Sequence, residues 1–346
     1  MAPRWRTPVL ASLLGACGTL GGDAAGDRNL PDNRTGPYRE LTSAESGDRD
    51  CVVVDFDGLA EDPSALREPD GAVTVWVSRL RRSTHTIARA VLRDAVRPVG
   101  DLEDVYAPSH AWEGERVQAP SVARLGGAYV MAYEGAGGLG LATSPDGVRW
   151  TSRPDPVLTA EPTLGEGTLT APSLLVGPDG ALTLVYASAG ALWMARAPLP
   201  GGPWTRVDAR PETSGRDPLV RPGTPDGGAP EALQDPSLHA EVTPTGRTLW
   251  RVFFTVRDPT GPSLDGGAPA RTIGLAASWD GVTFQRSPQP ALSLRGDTDP
   301  AAPSMVAYDA TRTLLYVGAR CALSRLRRGV RCAVAPVPAR LPAPSP

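Results

Sequence analysis

No lysine occurs in this chain of 346 residues, and all 35 of its basic residues are arginines. Only three histidines are present, His85, His110 and His239, and their spacing does not match that of a metal site. The sequence also lacks a glycine-rich phosphate loop before a helix, a serine-hydrolase turn and a Cys-x-x-Cys pair. These absences exclude the common metal-dependent, nucleotide-binding and redox motifs. We predict neither a cofactor nor a metal.

An excess of charge of one sign is missing as well, because 35 arginines and 38 acidic residues leave a net charge of −3. Proteins that bind nucleic acid usually carry a clustered basic face, which this balance does not indicate. The sequence therefore predicts no nucleic-acid partner, and we expect a monomer.

The apolar stretch of residues 9–16 is too short to span a bilayer. Two arginines precede it and small residues end it, which is the pattern of an export signal. Its end, Leu14-Gly15-Ala16-Cys17, resembles the bacterial lipobox, in which the cysteine is diacylated and becomes the mature N-terminus. We predict a signal peptide over residues 1–16 and lipidation of Cys17. The alternative is an ordinary secretory signal that happens to contain a cysteine.

Both signals export the protein, so the predicted location is the bacterial cell envelope. Gly18 resembles the default sorting to an outer membrane, with the protein facing the periplasm or the cell surface. Residues 17–50 are rich in Gly, Asp, Arg and Asn and cannot bury enough surface to offset their ordering entropy. We expect a lipidated, flexible tether there, and contact with the membrane through the lipid alone.

Cysteine is scarce beyond the export signal, where Cys51, Cys321 and Cys332 remain. Disulfides persist in exported proteins. If residues 314–320 and 330–335 are paired strands, Cys321 and Cys332 face each other across a hairpin, and this is the predicted disulfide. The alternative pairs Cys332 with Cys51, since the strand that the last repeat lacks can come from the residues around Cys51. One thiol is left over in either case.

Glycine and proline are abundant, at 38 and 37 residues, and fall mainly at the junctions of an internal repeat. The repeated phrase is Asp or Ala followed by Pro-Ser, and its prolines lie 57, 52, 64 and 67 residues apart. This period accommodates one four-stranded sheet per unit, as in radial arrays of sheets. The five copies are Asp62-Pro63-Ser64, Ala119-Pro120-Ser121, Ala171-Pro172-Ser173, Asp235-Pro236-Ser237 and Ala302-Pro303-Ser304.

Each phrase is followed by a turn signal and then by two apolar or aromatic runs, which predict a second and a third strand. Two units add a Ser-x-Asp-Gly hairpin, at residues 144–150 and 278–284, that leads into a fourth, outer strand. We predict an all-β, five-bladed β-propeller of four-stranded antiparallel blades over residues 51–340. Residues 341–346 form a C-terminal tail.

A ring of inner strands that open with Asp-Pro or Ala-Pro, with tyrosine-rich second strands and Ser-x-Asp-Gly hairpins, resembles glycoside hydrolase families 43, 32 and 68. The resemblance covers the 290 residues from 51 to 340 and implies an active site in the central funnel. In these families three carboxylates reach the funnel from different blades: a base or nucleophile, a pKa-tuning aspartate and an acid glutamate. One acid protonates the leaving oxygen, and another activates water or attacks the anomeric carbon.

The match to this carboxylate set is incomplete. Asp62 matches the first-blade Asp-Pro of the family and would be its base, but the third blade has Ala171 where the tuning aspartate is expected. The fourth blade has Asp235 where the acid glutamate is expected, so Asp235 or Glu134, directly after a second strand, is the candidate acid. Asp-Pro-Ser can also be only a strand-opening device, in which the acid accepts backbone N–H bonds and proline fixes φ.

The loops after second strands are expected at the same end of the funnel. In these loops, Arg79, Arg257 and Arg320 are candidates to hold a carboxylate or sulfate of a ligand, or they pair with rim acids such as Asp258.

Two more residues complete the candidate site. Trp112, in the loop before the second blade, is the best candidate to stack on a sugar ring, because the other aromatic residues fall on strands where packing is the default. Asp299, before Pro300, is a candidate third funnel carboxylate. Three functions stay open: a glycoside hydrolase, a propeller that binds carbohydrate without hydrolysis, and a scaffold lipoprotein that binds another envelope protein.

Overall fold

The computed structural model describes residues 38–40, 60–308, 313–321 and 324–334, apart from gaps at 82, 94, 214, 225–228, 244–245, 261–270 and 293–297. These residues form five four-stranded antiparallel sheets and two short 3-10 turns, Ala111–Glu113 and Pro162–Leu164. The sheets form the blades of a β-propeller, which confirms the predicted fold class. Within the described ranges, no helix is long and apolar enough to cross a membrane.

Four blades are each made from one continuous stretch of chain, whose four strands follow one another across the sheet. Blade 1 contains β2 to β5, blade 2 contains β6 to β9, blade 3 contains β10 to β13, and blade 4 contains β14 to β17. The strands are β1 Arg39–Glu40, β2 Ala60–Arg67, β3 Val73–Arg81, β4 Thr84–Arg93, β5 Arg97–Tyr106, β6 Val117–Leu125, β7 Ala128–Gly135, β8 Gly138–Ser144, β9 Thr151–Ser152, β10 Thr170–Val176, β11 Leu182–Ser188, β12 Ala191–Ala197, β13 Thr205–Arg206, β14 Ala232–Val242, β15 Thr248–Arg257, β16 Arg271–Ser278, β17 Gln285–Arg286, β18 Thr298–Ala307, β19 Thr313–Cys321 and β20 Ser324–Val334.

Blade 5 is composite, because β18 to β20 are completed at the outer edge by the N-terminal strand β1. Tyr38, just before β1, is buried, donates its N–H to the carbonyl of Ala291 at 2.7 Å and packs its ring against Phe253. Residues 38–40 therefore belong to the propeller, and the predicted tether is wrong for them. Residues 51–56, the alternative source of this strand, lie outside the described part, as do the signal peptide and Cys17.

The register of blade 5 contradicts the predicted disulfide. Cys332 on β20 lies opposite Tyr316, whereas Cys321 on β19 pairs with Ser324 at the end of the hairpin where the two strands are connected. Five residues of extended strand, about 16 Å, separate the two positions along the hairpin. A disulfide requires Cα atoms within about 7 Å of each other, so Cys321 and Cys332 cannot be bridged in this register.

All five Pro-Ser phrases adopt the same backbone conformation. The residue before each proline has a positive φ, and the pairing register between the first and second strands shifts at that residue in every blade. The φ values are 53° at Asp62, 49° at Ala119, 46° at Ala171, 49° at Asp235 and 48° at Ala302. Non-glycine residues rarely adopt this region, and a following proline normally favours an extended residue. Each phrase is therefore a β-bulge that turns one residue towards the propeller axis.

The serines of four of the five phrases join neighbouring blades. Ser64 Oγ accepts the N–H of Val122, and Ser121 Oγ accepts the N–H of Leu174. Ser173 Oγ does the same for Leu238. Aromatic side chains of the second strands fill the space between blades, as expected from the sequence: Trp76, Tyr133, Tyr186 and Tyr316 are fully buried.

Candidate functional site

The five phrases surround one axis. Their Asp or Ala and Pro residues line a narrow central channel, and above it a cavity of about 490 Å³ is lined by residues of all five blades. We call this cavity the funnel. Among the described residues, blades 3 and 5 contribute only small residues to it, Thr170, Ala171, Ala301, Ala302 and Gly318. The described charged side chains of the lining come from blades 1, 2 and 4.

The three predicted catalytic carboxylates, Asp62, Glu134 and Asp235, all line the funnel, together with Glu61. Asp62 and Asp235 are the positive-φ residues of their phrases, whereas Glu134 lies on β7. The structure thus brings together side chains from three blades. Their catalytic roles stay predictions.

Asp62 and Asp235 have matching surroundings. The Ser78 hydroxyl donates a hydrogen bond to Asp62 Oδ2 at 2.8 Å and accepts the N–H of Ala119 from the next blade at 2.7 Å. In blade 4, Thr255 hydrogen-bonds to Asp235 and accepts the N–H of Ala302 at 2.9 Å. A second-strand hydroxyl therefore links each funnel aspartate to the bulge of the following blade.

Glu134 takes the place of this hydroxyl in blade 2. Its Oε2 accepts the N–H of Ala171 directly at 3.0 Å, and its Oε1 accepts a hydrogen bond from Gln118 at 2.9 Å. Arg116 lies 3.8 Å from the same oxygen, and only 3% of Glu134 is exposed. Both oxygens of Glu134 are therefore engaged by the protein.

The funnel raises the pKa of all three carboxyl groups. Burial, followed by the charges of Asp235 and Glu61, raises the pKa of Asp62 to about 8, against the opposing hydrogen bond from Ser78. Burial raises the pKa of Asp235 too, opposed by Thr255, Arg271 and Ala302. Burial likewise raises the pKa of Glu134, although the N–H of Ala171 and the charge of Arg116 lower it.

In the described part of the chain, three arginines line the funnel, Arg116, Arg257 and Arg271. Only Arg257 was predicted from the sequence. Arg116 immediately precedes β6 and Arg271 opens a third strand, at positions where the other blades have no arginine, so neither follows the repeat. Across the described ranges, no three His, Cys, Asp or Glu side chains gather into a metal site.

Two predicted binding residues lie elsewhere. Arg79 donates to the carbonyl of Leu102 at 3.2 Å and pairs with Asp104 at 3.5 Å, so it belongs to the outer part of blade 1 and not to the funnel lining. Trp112 stacks on Tyr133, with ring centroids 5.9 Å apart and planes 24° apart. It is partly buried and packs in the core, so its prediction as an exposed sugar-stacking residue is wrong.

Asp299 and Arg320 are direct cross-strand partners on β18 and β19 in blade 5. Their side chains fall outside the described part of the chain, and their binding roles stay predictions.

Among the described residues, two buried glutamates outside the funnel were not predicted from the sequence. Glu113 accepts hydrogen bonds from the hydroxyls of Tyr106 and Tyr133, both at 2.6 Å. Glu166 accepts one from Tyr186 at 2.7 Å and two from Arg206, at 2.9 and 2.8 Å. Each glutamate precedes a first strand and contacts the tyrosine of the second strand in the same blade. This recurrence in blades 2 and 3 was the signal available in the sequence.

Comparisons with known proteins give a likeness of fold. No family model and no curated protein matches the sequence. Among solved structures, a glycosyl hydrolase from Bacteroides ovatus has a TM-score of 0.60 at 18% identity, covering 88% of this chain and 95% of that one. A thermostable family-43 glycoside hydrolase has a TM-score of 0.56 at 15% identity, with 85% and 97% covered. An alpha-L-arabinofuranosidase from Lactobacillus brevis has a TM-score of 0.56 at 13% identity, with 80% and 90% covered. The chain therefore shares the propeller fold of glycoside hydrolases.

Proposed function

We propose that the funnel binds a carbohydrate and hydrolyses a glycosidic bond. The observation that carries this proposal is the meeting of Asp62, Asp235 and Glu134, from three blades, in one open polar cavity that raises the pKa of each. Hydrolysis requires one carboxyl group that holds a proton and one that has lost it. Mutual repulsion in a carboxylate cluster produces this division.

We assign the catalytic roles from the surroundings of each carboxyl group. Asp62, with a pKa of about 8, keeps its proton at neutral pH and is the proposed acid that protonates the leaving oxygen. This role is the opposite of the base role that the family resemblance implies. Burial raises the pKa of Asp235 as well, but Thr255, Arg271 and the N–H of Ala302 oppose this effect, whereas Ser78 alone opposes it at Asp62, so Asp235 is the proposed base. Glu134 is buried with both oxygens engaged, so it positions the funnel wall and tunes its neighbours.

The test is turnover by the mature protein on arabinan, xylan and fructan oligosaccharides, measured as released reducing sugar. We expect activity in the wild type, loss of at least 100-fold in Asp62→Asn and in Asp235→Asn, and retained binding by calorimetry. Asp155→Asn, at an exposed position away from the funnel, is the matched control. Wild-type protein without turnover on any substrate would contradict hydrolysis.

Binding without hydrolysis is the second candidate. It is favoured by the hydrogen bonds through which the funnel carboxylates tie blades together, because such groups have a structural use that needs no reaction. In this case calorimetry detects an oligosaccharide, and no product forms. If the protein is instead a scaffold, we expect it to retain an envelope protein in a pull-down and to bind no carbohydrate in calorimetry.

We also propose that the protein is exported and anchored through lipid on Cys17, as a monomer in the bacterial envelope. The support is the arginine-flanked apolar stretch that ends in the lipobox-like tetrapeptide. Metabolic labelling with a fatty acid should mark the wild type and not the Cys17→Ser variant. Label retained in Cys17→Ser would contradict the assignment.

A further inference from the structure

We infer that the ligand of the funnel carries an anionic group, held by Arg257 beside Arg271. This inference rests on the proposed carbohydrate function and narrows its substrate to acidic sugars. Arg257 ends β15 and Arg271 begins β16, and the two are direct partners in the antiparallel register. Both line the funnel. Like charges directly opposite each other disfavour a strand pair, and Arg271 acts on Asp235, so Arg257 is the cation of this pair that an anionic ligand would stabilise.

Three acids around this wall, Glu134, Asp235 and Asp258, interact with groups other than Arg257. Glu134 is engaged by Arg116, Gln118 and Ala171, and Arg271 lowers the pKa of Asp235. Asp258 follows Arg257 in the sequence, yet its Oδ1 accepts the N–H and the hydroxyl of Thr260, at 2.8 and 2.7 Å. Within the described part of the chain, no carboxylate forms an ion pair with Arg257. The exposed Arg257 side chain is therefore available to what enters the funnel.

The other lining groups favour recognition by charge. The described lining contains amides, small side chains and charged groups, and no aromatic ring on which an apolar sugar face could stack. A planar carboxylate matches the two-pronged guanidinium group, which makes a uronic acid residue the expected ligand unit. A sulfate ester offers similar chemistry, so the experiment includes it as a separate ligand.

The experiment measures affinity by calorimetry for three ligand sets: uronic acid oligosaccharides, the same oligosaccharides after reduction of their carboxyl groups, and sulfated oligosaccharides. For wild type we expect at least tenfold tighter binding of an acidic set than of the matched reduced set. Arg257→Gln should remove this difference by weakening the binding of the acidic set. Arg149→Gln, at an arginine that pairs with Asp146 on an exposed hairpin, should keep the difference.

The outcomes separate the two proposals. Preference for the uronic set supports a carboxylate, and preference for the sulfated set supports the anionic site with sulfate as its source. Equal binding of acidic and reduced oligosaccharides, or a preference that survives Arg257→Gln, overturns the inference and leaves the carbohydrate function standing. Binding of no oligosaccharide at all overturns both.

Discussion

The hydroxyl of Ser304 accepts the backbone N–H of Ala65 at 2.9 Å and so joins the last blade to the first, across 239 residues of sequence. Ser121 makes the same contact with Leu174 between blades 2 and 3. The ring of blades is therefore closed by the same serine-to-backbone hydrogen bond that joins blades 2 and 3. Its physical basis is a buried N–H that needs an acceptor, because Ala65 and Leu174 lie on edge strands, whose outward N–H groups have no partner in their own sheet.

We expect Ser304→Ala and Ser121→Ala each to lower the free energy of unfolding by about 1–2 kcal/mol, since each leaves a buried N–H without an acceptor. Ser237→Ala is the matched control, because Ser237 Oγ bonds to His239 in its own blade. Its loss should be smaller. Chemical denaturation of the three variants checks this. Equal losses at all three positions would show that the contact between blades has no special weight.

The blades were predictable because their signals are local and repeated. Pro-Ser marks the first strand, Asp-Gly or Gly-Gly the turn, and apolar alternation the next two strands. The positive φ before each proline was not predictable, since alanine before proline favours extended backbone. Ala119 and Ala171 nevertheless adopt a positive φ, because the packing of neighbouring sheets around the axis overrides the local preference.

The parts of the site that follow the repeat were found, and the others were not. Asp62 and Asp235 sit in the phrase itself, whereas Arg271 reaches the funnel only through its pairing with Arg257. The disulfide prediction was wrong because the positions of two cysteines in a predicted hairpin do not determine which residues of the two strands pair. The prediction for Trp112 was wrong because its position in a loop does not indicate that its ring stacks on Tyr133.

Asp62 should make stability depend on pH. Its pKa rises from 3.8 to about 8 on folding, so the folded protein retains a proton that the unfolded chain releases between these values. Stability contributed by this proton is present below about pH 4 and is lost as pH rises through 8. Thermal unfolding should therefore show Asp62→Asn gaining stability relative to wild type from pH 4 to pH 9, by about 6 kcal/mol, since each pKa unit corresponds to about 1.4 kcal/mol. Asp155→Asn should show no such trend, and a pH-independent difference for Asp62→Asn would contradict the raised pKa.

Gly281 shows how the Ser-x-Asp-Gly hairpins are fixed against the second strand. Its φ is +70°, and an added Cβ would lie 2.7 Å from the ring of Trp250. Gly126 has a similar φ of +62° with open space around it. We expect Gly126→Ala to cost about 1 kcal/mol, the backbone term alone, and Gly281→Ala to cost about 2–4 kcal/mol because overpacking adds to it. Equal losses, measured by denaturation, would exclude a packing role for the glycine.

The buried pair of Glu166 and Arg206 tests how the loops before the first strands are held. The Glu166 side chain is fully buried and that of Arg206 is 14% exposed, so Arg206→Met leaves a buried carboxylate with Tyr186 as its remaining side-chain donor. We expect a loss of about 3 kcal/mol in the free energy of unfolding at neutral pH. Arg206 and Tyr186 hold the pKa of Glu166 below its ordinary value against the effect of burial, so the stabilisation is present above the ordinary pKa and lost as pH falls. The difference between variant and wild type should therefore shrink in acid.

The control is Arg149→Met, which breaks an exposed pair with Asp146 and should change stability by less than about 0.5 kcal/mol. A loss for Arg206→Met that is as small as this, or that persists unchanged at low pH, would show that the ion pair does not hold the loop.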